Sequence, residues 1–183
     1  IKKIYPDECK NFFKFSFIRN PYSRIASAYA GVMTFRKDLR NFLVIYKDTS
    51  FKNFLYLIKD NMHTHWLPID FFFRDNDLDF IGRFENFDND LDELKKLTNL
   101  NFVKKNYSGK LNFSDKFNYL KLYEDKECID LVAEIYSKDL DRFNYNFDNF
   151  VEYEKQKKSS ISMSPNLEIP LKEKTLWRFI KKY

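Results

Sequence analysis

The segment from Phe15 to Tyr29, FSFIRNPYSRIASAY, carries residue types that bind anions. An apolar run ends in Arg19, an Asn-Pro turn follows, and the next stretch carries Arg24 and Ser27. A guanidinium offers a planar fork of N–H donors that matches the oxygens of a phosphate. A helix N-terminus adds unpaired N–H groups and a partial positive charge. The pattern predicts a phosphate pocket, although an ordinary packing helix with two surface arginines would carry the same residues.

The elements that must position this segment follow from its apolar spacing and its turn residues. The run Phe12–Ile18 is typical of a buried strand. Asn20 is a good N-cap and Pro21 suits the first helical position, so a helix is predicted to begin there. Further elements are predicted as helices over Ser50–Lys59, Asp88–Leu100 and Asp125–Phe143 and a strand over Leu78–Ile81. The pattern indicates an α/β fold, rich in helices and short of strands, in which ligands bind outside the carboxyl ends of the strands.

The charge of the chain is unevenly distributed. The 183 residues have a net charge of +5, with twelve Lys or Arg against five Asp or Glu in residues 1–60. Residues 61–150 carry twelve against eighteen, and residues 151–183 carry eight against four. A basic first third favours an anionic ligand. Solvated faces in a lysine-rich chain would give the same excess of lysine.

Composition excludes several classes of protein. Cys9 and Cys128 are too few for a disulfide scaffold, and no apolar run approaches the ~18 residues of a membrane span. The first residues lack the apolar core of a signal peptide, so a cytoplasmic location is expected, with the Golgi lumen as the alternative if an anchor has been removed. Phe12, Phe13, Phe15 and Phe17 are predicted to lie in a buried strand, which argues against a nucleic-acid-binding surface.

Four blocks of sequence, in order, resemble those of sulfotransferase family 2, the Golgi carbohydrate sulfotransferases and related bacterial enzymes. The first is Arg-Asn-Pro-Tyr-x-Arg-Ile-x-Ser-x-Tyr, residues 19–29. The second is His65-Trp66-Leu67-Pro68, where Ile69 replaces the glutamine that the family often has next. The others are residues 79–90, DFIGRFENFDND, and residues 135–147, IYSKDLDRFNYNF.

The resemblance implies a P-loop NTPase-like fold with three layers and a mostly parallel sheet. It implies a transferase that moves a sulfuryl group from 3′-phosphoadenosine 5′-phosphosulfate (PAPS) to a hydroxyl of a carbohydrate acceptor. By the family's pattern, Arg19 and Ser27 hold the 3′-phosphate of PAPS. Arg24 and Lys110 are further candidates for binding this nucleotide.

The transfer needs a base for the acceptor proton, and a histidine or a glutamate of raised pKa suits that role. His63 and His65 are the only two histidines in the chain, and His65 lies in the matched block. Glu85 is the other candidate. Purely structural roles for the histidines and for Glu85 would fit the same pattern. No metal site is expected, because neither the histidines nor the acidic clusters have a ligand spacing that a metal would need.

The family's Gly- and Lys-rich loop for the 5′-phosphosulfate has no counterpart in residues 1–18. We therefore expect residues 1–150 to form a sulfotransferase-like domain that lacks its first strand and phosphate loop. The alternative is an inactive relative that only binds the nucleotide. Residues 151–183 are predicted to form a linker, around Lys155–Pro165, and a short C-terminal helix.

Overall fold

The computed structural model describes residues 12–73, 78–100, 103–104, 118–159 and 167–168. The chain divides into two compact units. The first unit comprises Ile1–Ile18, Phe73–Tyr107 and Pro165–Tyr183, and the second comprises Arg19–Phe72 and Ser108–Ser164.

Helices dominate the described residues. In chain order the elements are β1 (Phe15–Ile18), α1 (Pro21–Thr34), α2 (Lys37–Leu43), α3 (Phe51–Asp60), β2 (Phe80–Arg83), α4 (Phe87–Thr98), β3 (Val103–Lys104), α5 (Lys126–Ile135), α6 (Ser137–Phe143), α7 (Phe147–Ser159) and β4 (Leu167–Glu168). Short 3₁₀ turns cover Ile69–Phe71, Phe84–Asn86 and Tyr119–Tyr123.

The first unit is built on a parallel pair of strands. β1 and β2 pair in register from Phe15 opposite Phe80 to Ile18 opposite Arg83. α4 packs on them through Leu91 and Leu94, which are buried. β3 and β4 form a separate antiparallel pair. The predicted α/β class, rich in helices with a parallel sheet, is therefore confirmed. The P-loop NTPase-like fold, its three-layer arrangement and the absence of its first strand and phosphate loop stay predictions.

The second unit is a helical body around one hydrophobic core. α1 runs through it and supplies Tyr22, Ile25, Ala26 and Val32, all nearly inaccessible to solvent. α3 and α5 pack against each other, and the core contains Phe54, Trp66, Tyr136 and Phe150 among its largest buried side chains. The small side chain of the buried Ala26 leaves room for neighbouring helices to pack closely against α1.

Four predictions about the elements need correction. The strand predicted over Phe12–Ile18 begins only at Phe15, and Phe12 and Phe13 are 52 % and 40 % exposed rather than buried. The helix predicted over Asp125–Phe143 is two helices, because Tyr136 leaves helical geometry (φ −114°, ψ 23°) and ends α5 while it precedes α6. The linker predicted from Lys155 is wrong for residues 155–159, which continue α7. The strand predicted over Leu78–Ile81 is observed two residues later, at Phe80–Arg83.

Two helices, α2 and α7, were not predicted from the sequence. α2 ends at Leu43, and its C-cap residue Val44 takes a left-handed conformation (φ 54°). The apolar sequence around Val44 would instead favour a helix that continues. α7 is so rich in charged residues that its sequence is typical of a linker. The domain boundary predicted at residue 150 falls inside α7, and it stays a prediction. The C-terminal helix after residue 170 lies outside the described residues.

Gly82 and Gly31 form a matched pair for testing the packing of β1 against β2. A Cβ on Gly82 would lie 2.7 Å from Cδ1 and 2.9 Å from Cζ of Phe17, whose ring is held at 4.8 Å by Phe87. We expect Gly82→Ala to lower the free energy of unfolding by about 1–3 kcal/mol, because the Phe17 ring must shift away from its contact with Phe87 to make room for the Cβ. Urea unfolding followed by circular dichroism measures this.

The control is Gly31→Ala. A Cβ there meets nothing closer than 3.5 Å, at Phe35 Cζ, and Gly31 lies inside α1. Alanine should therefore raise stability by about 0.5–1 kcal/mol through helix propensity. Equal effects of the two substitutions would contradict the packing described for Gly82.

Candidate functional site

The start of α1 is fixed by side chains and packed inside the second unit. The side-chain oxygen of Asn20 accepts a hydrogen bond from the Tyr22 N–H at 3.1 Å, and its amide donates to the Asn146 carbonyl at 3.0 Å. Pro21 occupies the first turn, as predicted. Ser23 is fully buried, and its hydroxyl lies 3.4 Å from Glu154 Oε1.

This burial corrects one expectation from the sequence. The first turn of α1 was expected to present free N–H groups to a phosphate. Tyr22 and Ser23 are 3 % and 0 % exposed, and the buried Glu154 carboxylate lies beside them, so an incoming anion has neither access nor a favourable field there. Any anion bound in this region must use side chains.

Arg19 and Ser27 both remain partly accessible. Arg19 follows the last residue of β1, and Ser27 lies in the middle of α1, one turn beyond Ser23. Among the described residues none forms a hydrogen bond with the Ser27 hydroxyl. These two residues keep the accessibility that a phosphate-binding role demands.

Arg24 is tied to another part of the chain. Its Nη2 donates a hydrogen bond to the Leu67 carbonyl, and its guanidinium carbon lies 5.4 Å from the centre of the Tyr136 ring. A cation over an aromatic face gains electrostatic stabilisation. Arg24 therefore connects α1 to the loop that carries the histidines.

That loop, residues 65–70, is held by hydrogen bonds from buried side chains, and we call it the clamped loop. The Tyr136 hydroxyl donates to the Trp66 carbonyl at 2.7 Å. The Asp139 carboxylate accepts from the N–H of Ile69 at 2.7 Å and of Asp70 at 2.8 Å. Pro68 lies between them and has no N–H to satisfy. Backbone groups on both sides of the proline are thus paired.

Burial changes the pKa values of the two side chains, Asp139 and Tyr136, that hold the clamped loop. Asp139 is fully buried, and burial raises the pKa of its carboxyl, while the two backbone N–H groups and Arg24 act in the opposite direction. Burial also raises the pKa of Tyr136, opposed by Arg24. Tyr136 therefore stays a neutral donor at physiological pH.

His65 lies at the solvent-exposed start of the clamped loop. Its Nε2 lies 2.8 Å from Nη1 of Arg36, and its Nδ1 lies 3.0 Å from Nδ1 of His63. Arg36 in turn donates to both oxygens of Asp38, with Nη2 to Oδ2 at 2.8 Å. The pKa of His65 is lowered by partial burial and by the charges of Arg36 and His63, while Asp38 opposes this. The imidazole is therefore neutral at pH 7, as a general base requires.

The other predicted site residues lie elsewhere. Glu85 is half-buried in the 3₁₀ turn after β2 and belongs to the first unit, whereas Arg19, Arg24, Ser27 and His65 belong to the second. Lys110 lies outside the described residues. Over the part of the chain that the structure describes, no group of His, Cys, Asp and Glu could hold a metal ion. Within the same residues, no helix is long and apolar enough to cross a membrane.

Tyr136, Asp139 and Arg36 contribute to the candidate site, and the sequence analysis assigned them no role. Tyr136 and Asp139 fall inside the fourth family-like block. One signal was available in the sequence. Asp139 lies on the same face of the predicted helix as its apolar residues, so a buried acid could have been expected there. Arg36 carried no signal, because its partner His65 is 29 residues away.

The role of Asp139 can be tested by Asp139→Asn. An amide offers one acceptor oxygen and places an NH₂ group against a backbone N–H, so one buried donor loses its partner. We expect the free energy of unfolding to fall by about 1–3 kcal/mol. Asp141→Asn, an exposed position of the same helix, is the matched control and should change stability little. A similar effect of both variants in urea unfolding would contradict the role of Asp139 in holding the clamped loop.

Comparison with protein families matches residues 2–146 to the sulfotransferase family. The matched range contains Arg19, Arg24, Ser27, the clamped loop and Asp139. No curated protein and no solved structure matched the chain. The family match spans most of the 183 residues and agrees with the resemblance read from the four sequence blocks. The chain belongs to the sulfotransferase family.

Proposed function

We propose that this chain acts in PAPS-dependent transfer of a sulfuryl group to a hydroxyl of a carbohydrate acceptor. The observation that carries the proposal is the family match over residues 2–146, which includes the Arg19-to-Ser27 segment. Family membership supports sulfuryl transfer. The identity of the donor, the identity of the acceptor and the roles of single residues are what we propose beyond it.

Arg19 and Ser27 are proposed to hold the 3′-phosphate of the donor. Both are partly accessible, and Ser27 follows Arg19 at the spacing of the family's pattern. A guanidinium and a hydroxyl together supply charge and directional N–H and O–H donors to phosphate oxygens. When bound, PAPS supplies the sulfuryl group that the reaction transfers. Arg24 serves a different purpose in this proposal, because its guanidinium already holds the clamped loop.

His65 is proposed as the base that takes the acceptor proton. The acceptor oxygen forms a bond to sulfur while the bond from sulfur to the bridging phosphate oxygen breaks, and the bisphosphate leaves. The proton of the acceptor hydroxyl passes to Nε2 of His65. The clamped loop fixes where this nitrogen lies, and proximity of this kind supplies much of an enzyme's rate enhancement.

An apolar face beside the histidines supports a sugar as acceptor. The Phe42 ring is half-exposed, and its centre lies 5.1 Å from that of His63. Sugar rings present C–H groups that pack on such faces, while their hydroxyls need polar partners nearby. The cytoplasmic location predicted from the sequence stays a prediction.

Nucleotide binding is tested by calorimetric titration of the 183-residue chain with 3′-phosphoadenosine 5′-phosphate. Arg19→Ala should weaken binding about 10–100-fold and Ser27→Ala about 2–10-fold, since a hydrogen bond to a charged group contributes more than a neutral one. Lys121→Ala removes a positive charge from an exposed position and is the control. Absence of saturable binding in the unmodified chain would overturn the proposal, as would unchanged affinity in Arg19→Ala.

The base is tested by sulfate transfer from labelled PAPS to a panel of glycans. His65→Asn should lower kcat by about 10²–10⁴-fold and leave nucleotide affinity unchanged. Because the pKa of His65 is lowered, its neutral form persists below the ordinary histidine value of ~6.5, so the acid limb of kcat/KM should lie below that pH.

Two outcomes would contradict these assignments. Nucleotide binding without transfer to any acceptor favours a relative that only binds the nucleotide. Loss of transfer in Glu85→Gln but not in His65→Asn would assign the base to Glu85.

A further inference from the structure

The hydrogen bonds around His65 determine which of its nitrogens carries a proton. An arginine guanidinium has only donors and stays charged in proteins. Because Arg36 Nη1 lies 2.8 Å from His65 Nε2, that nitrogen must be the acceptor and carries no proton. A neutral imidazole has one N–H, so the proton is on Nδ1.

The same reasoning extends to His63. The Nδ1–H of His65 points to Nδ1 of His63 at 3.0 Å, and the His65 backbone N–H reaches the same atom at 3.3 Å. Nδ1 of His63 is therefore an acceptor, and its proton lies on Nε2. The His63 ring packs at 5.1 Å from both Phe42 and Trp66, which holds it in place.

Arg36 is itself oriented before it meets His65. Asp38 binds its Nε and Nη2 in a forked ion pair, and the pKa of Asp38 is lowered to about 2 chiefly by this bond. The carboxylate is thus charged at neutral pH. The fork leaves Nη1 directed at the imidazole, so the geometry of the ion pair sets the geometry of the Arg36–His65 contact.

We propose that Arg36 is a positioning residue that holds His65 in the neutral form with its proton on Nδ1, so that Nε2 is the atom that receives the acceptor's proton. This inference rests on the proposed function only for the role of His65 as base. The charged and titratable groups acting on His65 are Arg36, Asp38 and His63. On acceptor binding, the hydroxyl takes the place of Arg36 Nη1 as the donor to Nε2, and His63 continues to accept from Nδ1–H.

The arrangement also explains how an exposed histidine stays deprotonated. A proton on Nε2 would face the guanidinium at hydrogen-bond distance, where two donors repel. His65 therefore gains a proton there only when Arg36 has moved away. The acceptor hydroxyl achieves this displacement at the moment when the base is needed.

The test is nuclear magnetic resonance of the full chain labelled with ¹⁵N-histidine. Only two histidines are present, so His63→Asn assigns both sets of signals. In the unmodified protein at pH 7.5, a value chosen above the ordinary histidine pKa of ~6.5, His65 should show a protonated Nδ1 and an unprotonated Nε2. A protonated Nε2 would overturn the proposal without any variant being needed.

Three variants separate the effect of Arg36 from that of charge in general. Arg36→Met should raise the pKa of His65 and give a mixture of tautomers, because both the donor and the charge are lost. Arg36→Lys should restore part of the effect. Lys37→Met removes the same charge one residue along, at an exposed position, and should leave His65 unchanged.

The proposal fails if Arg36→Met leaves the His65 pKa and tautomer as they were, or if Lys37→Met has the same effect. Circular dichroism confirms that each variant is folded. These signals do not depend on nucleotide, so a chain that fails to bind 3′-phosphoadenosine 5′-phosphate yet shows the expected tautomer would refute the proposed function and leave this inference standing. In an active enzyme, Arg36→Met should move the acid limb of kcat/KM upward while nucleotide affinity is unchanged.

Discussion

Four backbone groups between Trp66 and Asp70 are satisfied by side chains from α1, from Tyr136 between α5 and α6, and from α6, and the candidate site depends on those bonds. Each buried N–H or C=O left without a partner would cost about 1–3 kcal/mol, which is a large share of the stability of a domain. Arg24, Tyr136 and Asp139 together remove that cost. They also fix the loop in which His65 lies, so stability and chemistry rest on the same bonds.

The segment from Arg19 to Ser27 therefore contributes both to the proposed phosphate site and to the loop that carries His65. Arg19 and Ser27 remain accessible for a phosphate, while Arg24, between them in sequence, points to the histidine loop. α1 thereby carries both Ser27 and Arg24, one proposed phosphate ligand and one residue that positions the base, while Arg19 lies just before its N-cap. A helix is rigid enough to keep such groups in fixed relation, which loops do less well.

The sequence predicted what local physics determines. Asn20 and Pro21 begin α1 as expected, the second half of the apolar run forms β1, and the ordered blocks indicated the family. It could not predict the burial of the first turn of α1, because that depends on the packing of α7, some 130 residues away. The break at Tyr136 is likewise tertiary, since its hydroxyl bonds to Trp66, 70 residues earlier. The Arg36–His65 contact follows only from the fold.

The pairing of β1 with β2 has a consequence for synthesis on the ribosome. Phe15 pairs with Phe80, and the intervening chain from Arg19 to Phe72 belongs to the second unit. The nascent β1 therefore emerges long before its partner and has to wait with unpaired backbone groups and aromatic side chains. Unpaired strand edges of this kind are where aggregation begins. Translation that slows between these strands would prolong that exposure, so yield during expression should respond to codon choice between residues 19 and 79 more than elsewhere.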